Sequence, residues 1–435
     1  MSQRIRIRGG RVIDPAADID RETDVWIGGG RLLAVGDAPP EGFEADFEID
    51  ARGHLVWPGI VDLAARLREP GAEHKATIAS ETRAAVAGGI TTLCCPPDTT
   101  PPIDTPAVVE LIRKRAQTAG FARVETLGAL TRGLGGETLT EMAALKEEGC
   151  VGVSNARYPL ASSLVLRRAL EYAATYDLTV FLHPEDHALA AGGCAHEGEV
   201  ATRLGLPGIP AAAETAAVAH ALALIEHTGA RAHFCRLTHA RSIRMIARAR
   251  YDGVPVTADV AIPYCFLTEH DISEFDARCH VRPPLRTAAD RDALRSALAS
   301  GAVDALCSDH QPHEPDAKCN PFPMTEPGIS GLDTLLSLGL RLVDEGVLDL
   351  PTLVARLATG PGDILGLAQQ GAGRLLPGRR ADLIVIDPDT VWRVSPETLM
   401  SAGHNTPFMG WELRGRVTHT LVGGRVVFER RPEPN

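Results

Sequence analysis

The chain reads as an α/β protein: a TIM-type (β/α)8 barrel joined to a small β-sandwich made from both chain ends. Three observations predict this. Between residues 58 and 373, short apolar strands alternate with helices that stop at glycine, the pattern of a parallel sheet with right-handed crossovers. Before and after that region only short strands with glycine turns occur, each group too small to bury a core alone. The length, 435 residues, suits one barrel of about 250 residues with additions rather than a single small core.

The first region, 1–57, carries strands at 5–8, 25–27 and 31–35, with the turn Gly28-Gly29-Gly30 between the last two. An apolar run, 55–63, reads as one buried strand delivering its end to a pocket mouth. Helix 77–87 stops at Gly88-Gly89, and strand 90–95 follows. The series continues with helix 105–118, strand 124–129, helix 138–148, strand 150–153, helix 162–176 and strand 178–182. Helix 211–228, strand 232–237, helix 241–251, strand 254–260, helix 288–299 and strand 303–307 complete about eight units. Helices 331–344 and 350–359 finish the barrel region, 58–373. Strands return at 382–386, 392–394, 416–422 and 425–429, so 374–435 is expected to pair with 1–57.

A net charge of −12 argues against nucleic acid or an anionic membrane as the main partner, while leaving room for a local basic pocket. No apolar run reaches the roughly 18 residues of a membrane span, and the N-terminus alternates like a strand rather than a signal peptide. Nine cysteines, an odd number with no Cys-x-x-Cys pair, are expected as reduced core thiols of a cytoplasmic protein.

In a barrel the chemistry sits where strands end. The first such end is Trp57-Pro58-Gly59-Ile60-Val61-Asp62-Leu63-Ala64-Ala65-Arg66-Leu67-Arg68-Glu69-Pro70-Gly71. It resembles the first barrel strand of the amidohydrolase superfamily, closely the dihydroorotase branch, where His-x-His-x-Arg precedes Glu-Pro-Gly. The resemblance covers nearly the whole chain and includes closing segments such as Ala381-Asp382-Leu383-Ile384-Val385. It implies that Arg68 stands where a substrate carboxylate is bound, while Ala64 and Arg66 replace two metal-binding histidines. Cys95-Pro96-Pro97-Asp98-Thr99-Thr100-Pro101 is similar to Met-Pro-Asn-Thr-Asn-Pro, with Asp98 in place of a substrate-binding asparagine. Read from the residues alone, Asp98 equally suits a turn cap. A carboxylate facing a substrate carboxylate costs at least about 1 kcal/mol.

Further strand ends follow the same comparison. Asn155, in Val153-Ser154-Asn155-Ala156-Arg157, is nearest to the position of a bridging carboxylated lysine or aspartate; as a residue it reads as a loop asparagine. His183 keeps the histidine of the fourth strand, although a lone histidine there is more often a hydrogen-bonded pocket residue. Arg236 takes the place of the fifth-strand histidine, and His233 points away by strand alternation. Arg282-Pro283-Pro284-Leu285-Arg286 puts Arg282 at a substrate-side asparagine position. Ser308-Asp309-His310-Gln311-Pro312-His313 matches the final motif, with Asp309 the vestigial general base and metal ligand and His313 the substrate-contacting histidine.

Hydrolysis in that family needs a metal to activate water near neutral pH. Of the six ligand positions, only His183 and Asp309 survive; Ala64, Arg66, Asn155 and Arg236 hold the others. A guanidinium does not deprotonate to coordinate, and it repels a dication. No metal cofactor is therefore expected, and Arg66 or Arg236 is expected to supply a counter-charge to Asp309. The resemblance implies a non-catalytic dihydroorotase-like subunit of pyrimidine biosynthesis, partnered with aspartate carbamoyltransferase and expected to form a homo-oligomer. The alternative is a working dihydroorotase or other cyclic-amide hydrolase, using zinc on His183, Asp309 and a stray histidine such as His239. A third reading is a sensor that still binds carbamoyl aspartate or dihydroorotate through Arg68, Arg282 and His313.

Overall fold

A computed structural model describes residues 3–431. Eight parallel strands in the order of the chain, from Ile60–Asp62 to Ala305–Cys307, form the barrel wall. The first and last do not pair as strands. They meet just beyond their ends, where Arg66 N donates to His310 O (2.9 Å) and His310 N to Ala64 O (3.0 Å). Closure is reinforced from inside: Ser308 donates through its backbone N to the buried Asp62 carboxylate at 2.9 Å. His310 Nε2 lies 2.8 Å from Glu81 of the helix Ile78–Ala87, which also accepts from Ser401. The residues carrying the site thus sit beside the seam where the barrel closes.

The predicted strand 55–63 is two strands. Leu55–Pro58 belongs to the sheet of the chain ends, between Ile5–Asp14 and Leu383–Arg393, and Ile60–Asp62 is the first barrel strand. Gly59 is the corner: a Cβ there would lie 2.2 Å from the Thr91 side chain, so only glycine fits. An apolar run cannot reveal that its two halves pair in different sheets.

Strands from both ends form one eight-stranded sheet, with the C-terminal strands Leu383–Arg393, Glu412–Val422 and Arg425–Glu429 continuing from Leu55–Pro58. One set of side chains, including Ile5, Ile7, Val25, Leu383, Val385 and Leu421, packs as a core of its own. The alternate residues Ile384 and Ile386, with Val417 beyond a register shift in its strand, join the barrel core. Period-two alternation thus glues the sheet to the barrel through one face. The expected separate strand 392–394 is the end of Leu383–Arg393, past an irregularity between Asp387 and Val391.

Helix 138–148 begins late, at Met142. Thr140 is drawn out of it by its N–H to Leu130 O and its hydroxyl to Ala129 O, tying the segment to the preceding strand. All nine cysteines are free thiols, eight of them buried. Among the described residues no helix is long and apolar enough to cross a membrane.

Candidate functional site

Strand ends bring Arg66, Asp98, Arg157, His183, Arg236 and Asp309 together at one mouth of the barrel. Each follows a strand within a few residues: Ile60–Asp62, Ile90–Cys95, Gly152–Ser154, Val180–Leu182, Ala232–Phe234 and Ala305–Cys307. Several leave their strands through the left-handed region, with φ of 54° at Arg236, 45° at Asp309 and 48° at Ala156, just before Arg157. For residues other than glycine this is a sparsely populated conformation, held here by the surrounding bonds. At Arg236 the holder is Asp259, whose Oδ1 accepts the Arg236 backbone N–H at 2.5 Å. The other oxygen of Asp259 lies 2.9 Å from His233 Nε2.

At the centre stands Asp309, 6% exposed. Its Oδ1 lies 3.5 Å from Arg66 Nη1 and 3.5 Å from Arg236 Nε, and its Oδ2 accepts from Gln311 Nε2 at 3.0 Å. Arg66 also donates through Nε to Asp98 at 2.9 Å. Asp98 is therefore the partner of Arg66, neither a turn cap nor a bare carboxylate facing the pocket. Its carboxyl is held below the ordinary carboxylate range: burial pushes it up, and Arg66 and Arg157 outweigh burial. Arg236 is held firmly protonated, its burial more than offset by Asp309.

His183 Nδ1 lies 3.5 Å from Arg236 Nη2. A guanidinium only donates, so this nitrogen is an acceptor and the proton sits on Nε2. Burial, then Arg236, Arg157 and Arg66, hold the imidazole pKa well below its usual value, so the ring is neutral. Asn155 turns away from the centre. It accepts from the Thr131 hydroxyl at 2.7 Å and donates to Tyr158 O, the loop role read from its residue type.

The expected substrate-side residues are occupied. Arg68 Nε donates to Pro312 O at 2.9 Å, and its Nη2 lies 3.0 Å from His313 Nε2. Burial and the neighbouring Arg66 lower its pKa to about 10. His313 Nδ1 faces Lys75 Nζ at 3.2 Å, and burial with Arg68 and Lys75 drives its pKa down to about 2. Arg282 is clamped by Glu185, with contacts of 3.0 Å and 2.6 Å. Beside His183 and Asn155 opens a cavity of about 290 Å³, walled by Tyr158, Leu160 and Leu166 among others.

Sequence reasoning passed over Arg157, Lys75, Gln311 and Glu185. Arg157 stands two residues beyond Asn155 in a segment already singled out, and a basic residue at a barrel strand end was the available signal. Lys75 and Glu185 gave none, because their partners are remote in the chain.

A catalytic divalent metal does not fit this set. Ala64 has no ligand atom, the Arg66 and Arg236 guanidinium groups flank the remaining carboxylate, and both repel a cation. His239, the stray histidine considered as a third ligand, is engaged by Asp290 at 2.7 Å. Among the described residues the one trio of ligand-type side chains close enough to share an ion is His233, Cys235 and Asp259. There both ring nitrogens of His233 are already used, by Asp259 and by Thr257.

Comparison with known proteins fits this geometry. The Dihydro-orotase-like family description matches residues 53–242, and the Amidohydrolase family description matches 171–428. The fold is that of L-hydantoinase from Arthrobacter aurescens, at a TM-score of 0.88 and 25% identity over 99% of this chain and 96% of that one. Fold and family descriptions together place the chain in the amidohydrolase family. A dihydroorotase-like protein of Pseudomonas aeruginosa is 53% identical over 98% of this chain and 99% of its own length. A dihydroorotase of Geobacter sp. is 44% identical, over 97% and 99%. The chain belongs to the dihydroorotase-like amidohydrolases.

Proposed function

We propose that this chain is a non-catalytic dihydroorotase-like protein of pyrimidine biosynthesis, acting as a subunit that supports aspartate carbamoyltransferase. The observation that carries the non-catalytic part is Asp309 held between Arg66 and Arg236. These guanidinium groups occupy positions where the related hydrolases use histidine to hold metal. Without a Lewis acid, neutral-pH water is a poor nucleophile and an amide carbonyl a poor electrophile. The partner assignment rests on the resemblance to carbamoyltransferase-associated members of the family.

The first experiment is metal analysis and dihydroorotase assay on protein purified without chelator, repeated with added Zn²⁺. Substoichiometric metal and no turnover in either condition are expected. Stoichiometric zinc with turnover would favour the competing reading of an active cyclic-amide hydrolase. Co-expression with the aspartate carbamoyltransferase chain of the same genome then tests the partner, with a stable co-eluting complex expected.

A further inference from the structure

Three donors at the barrel mouth have nothing to donate to among the described residues. Arg66 Nη2, Arg157 Nη1 and His183 Nε2 are buried and lack any hydrogen-bond partner there. Arg66 is only 6% exposed, and the Arg157 side chain forms no ion pair with any described carboxylate. Buried polar groups are nearly always satisfied, and an unpaired cation is the costliest exception. The charge balance points the same way. Arg66, Arg157 and Arg236 surround the carboxylates of Asp98 and Asp309, leaving one positive charge over, while Arg68 and Lys75 beside them face Glu314 and Glu326. Arg282 does not change this, being neutralised by Glu185.

We propose that this centre binds a phosphate group, with Arg66 Nη2, Arg157 Nη1 and His183 Nε2 donating to its oxygens. The donors come from the ends of three different strands rather than from one planar fork. A tetrahedral phosphate offers acceptors in several directions, whereas a single carboxylate offers one plane. The cavity of about 290 Å³ shares His183 with this centre and has an apolar wall, so it takes the organic part of a small phosphate monoester. The proposal rests on the centre being free of metal. His183 contributes as a neutral N–H donor, which its contact with Arg236 secures.

The test is thermal unfolding of the full chain against inorganic phosphate and glycerol 3-phosphate, with succinate and NaCl at matched ionic strength as controls. A saturable rise in Tm with both phosphates, absent with NaCl and weaker with succinate, is expected. In Arg157→Met, apparent affinity for phosphate falls at least tenfold. That variant loses no hydrogen bond or ion pair among the described residues, so it is expected to fold, and its ligand-free Tm is the reference for its own phosphate response; Arg157→Gln serves as a second probe with the same expectation. No saturable response, a response unchanged in both variants, or a stronger response to succinate overturns the proposal. Zinc content of the same preparation separates the failures. Bound zinc removes the metal-free reading and the phosphate site with it, whereas metal-free protein without a phosphate response removes the phosphate site alone.

Discussion

Asp309 and Asp98 share Arg66, and that sharing makes the arginine structural as well as chemical. Removing one partner of a buried ion pair strands the other charge, at a cost of about 3–5 kcal/mol. Arg66→Met is therefore expected to destabilise the protein by that order in urea unfolding, far beyond the effect of losing surface charge. His313 gives a second prediction at this scale. Its folded pKa, about 2, lies below the roughly 6.5 of a free imidazole. The unfolded chain thus takes up a proton that the folded chain refuses, so the contribution of His313 is present above pH 6.5 and is lost as pH falls. Between pH 7 and 5 the parent is expected to lose about 2 kcal/mol relative to His313→Gln, measured as the difference between their urea-derived stabilities at each pH.

Among the elements, the helix Ile78–Ala87 links local chemistry to barrel closure. Thr77 and Ser80 form a reciprocal capping box at its start, and Glu81 in its first turn reaches His310 and Ser401. Thr77→Ala is expected to cost about 1 kcal/mol, read as a lower denaturation midpoint with an unchanged m-value. This helix was legible in the sequence because Thr77 and the Gly88-Gly89 stop are local signals. The late start at Met142 was not, because Thr140 is claimed by Ala129 at the end of the preceding strand and by Leu130 just beyond it. Strand existence was plain around the barrel, although Phe47–Asp50 and the short pair Ala195–His196 with Gly208–Ile209 were not read. Strand membership was hidden at Gly59, where the Thr91 side chain blocks any Cβ and the chain passes from one sheet to the other.

For the whole molecule, the sheet of the chain ends is a joint construction. Leu383–Arg393 pairs on one side with Leu55–Pro58 and on the other with Glu412–Val422, and its alternate side chains enter two cores. Ending the chain at residue 373 exposes the edge of Leu55–Pro58 and the barrel surface that Ile384, Ile386 and Val417 cover. Such a truncation is expected to aggregate rather than elute as a folded monomer in size-exclusion chromatography, because an uncovered apolar edge strand templates association.

The sequence by itself determined the class of fold, the pairing of the chain ends, and the loss of histidine at the strand ends where Ala64, Arg66 and Arg236 stand. These are legible because strand–helix alternation is periodic and because residue type alone decides whether an atom can coordinate a metal. Only the tertiary structure decided what the replacements do. It paired Asp98 with Arg66, placed Asp309 between two guanidinium groups, used up Arg282 on Glu185 and left Arg157 without an ion pair among the described residues. The physical reason is that an ion pair is set by distance in space. The members of these pairs lie far apart in the chain, 32 residues for Arg66 and Asp98 on two strand ends and 97 for Glu185 and Arg282, the latter in the loop before helix Ala288–Ser300, and only barrel closure brings them together.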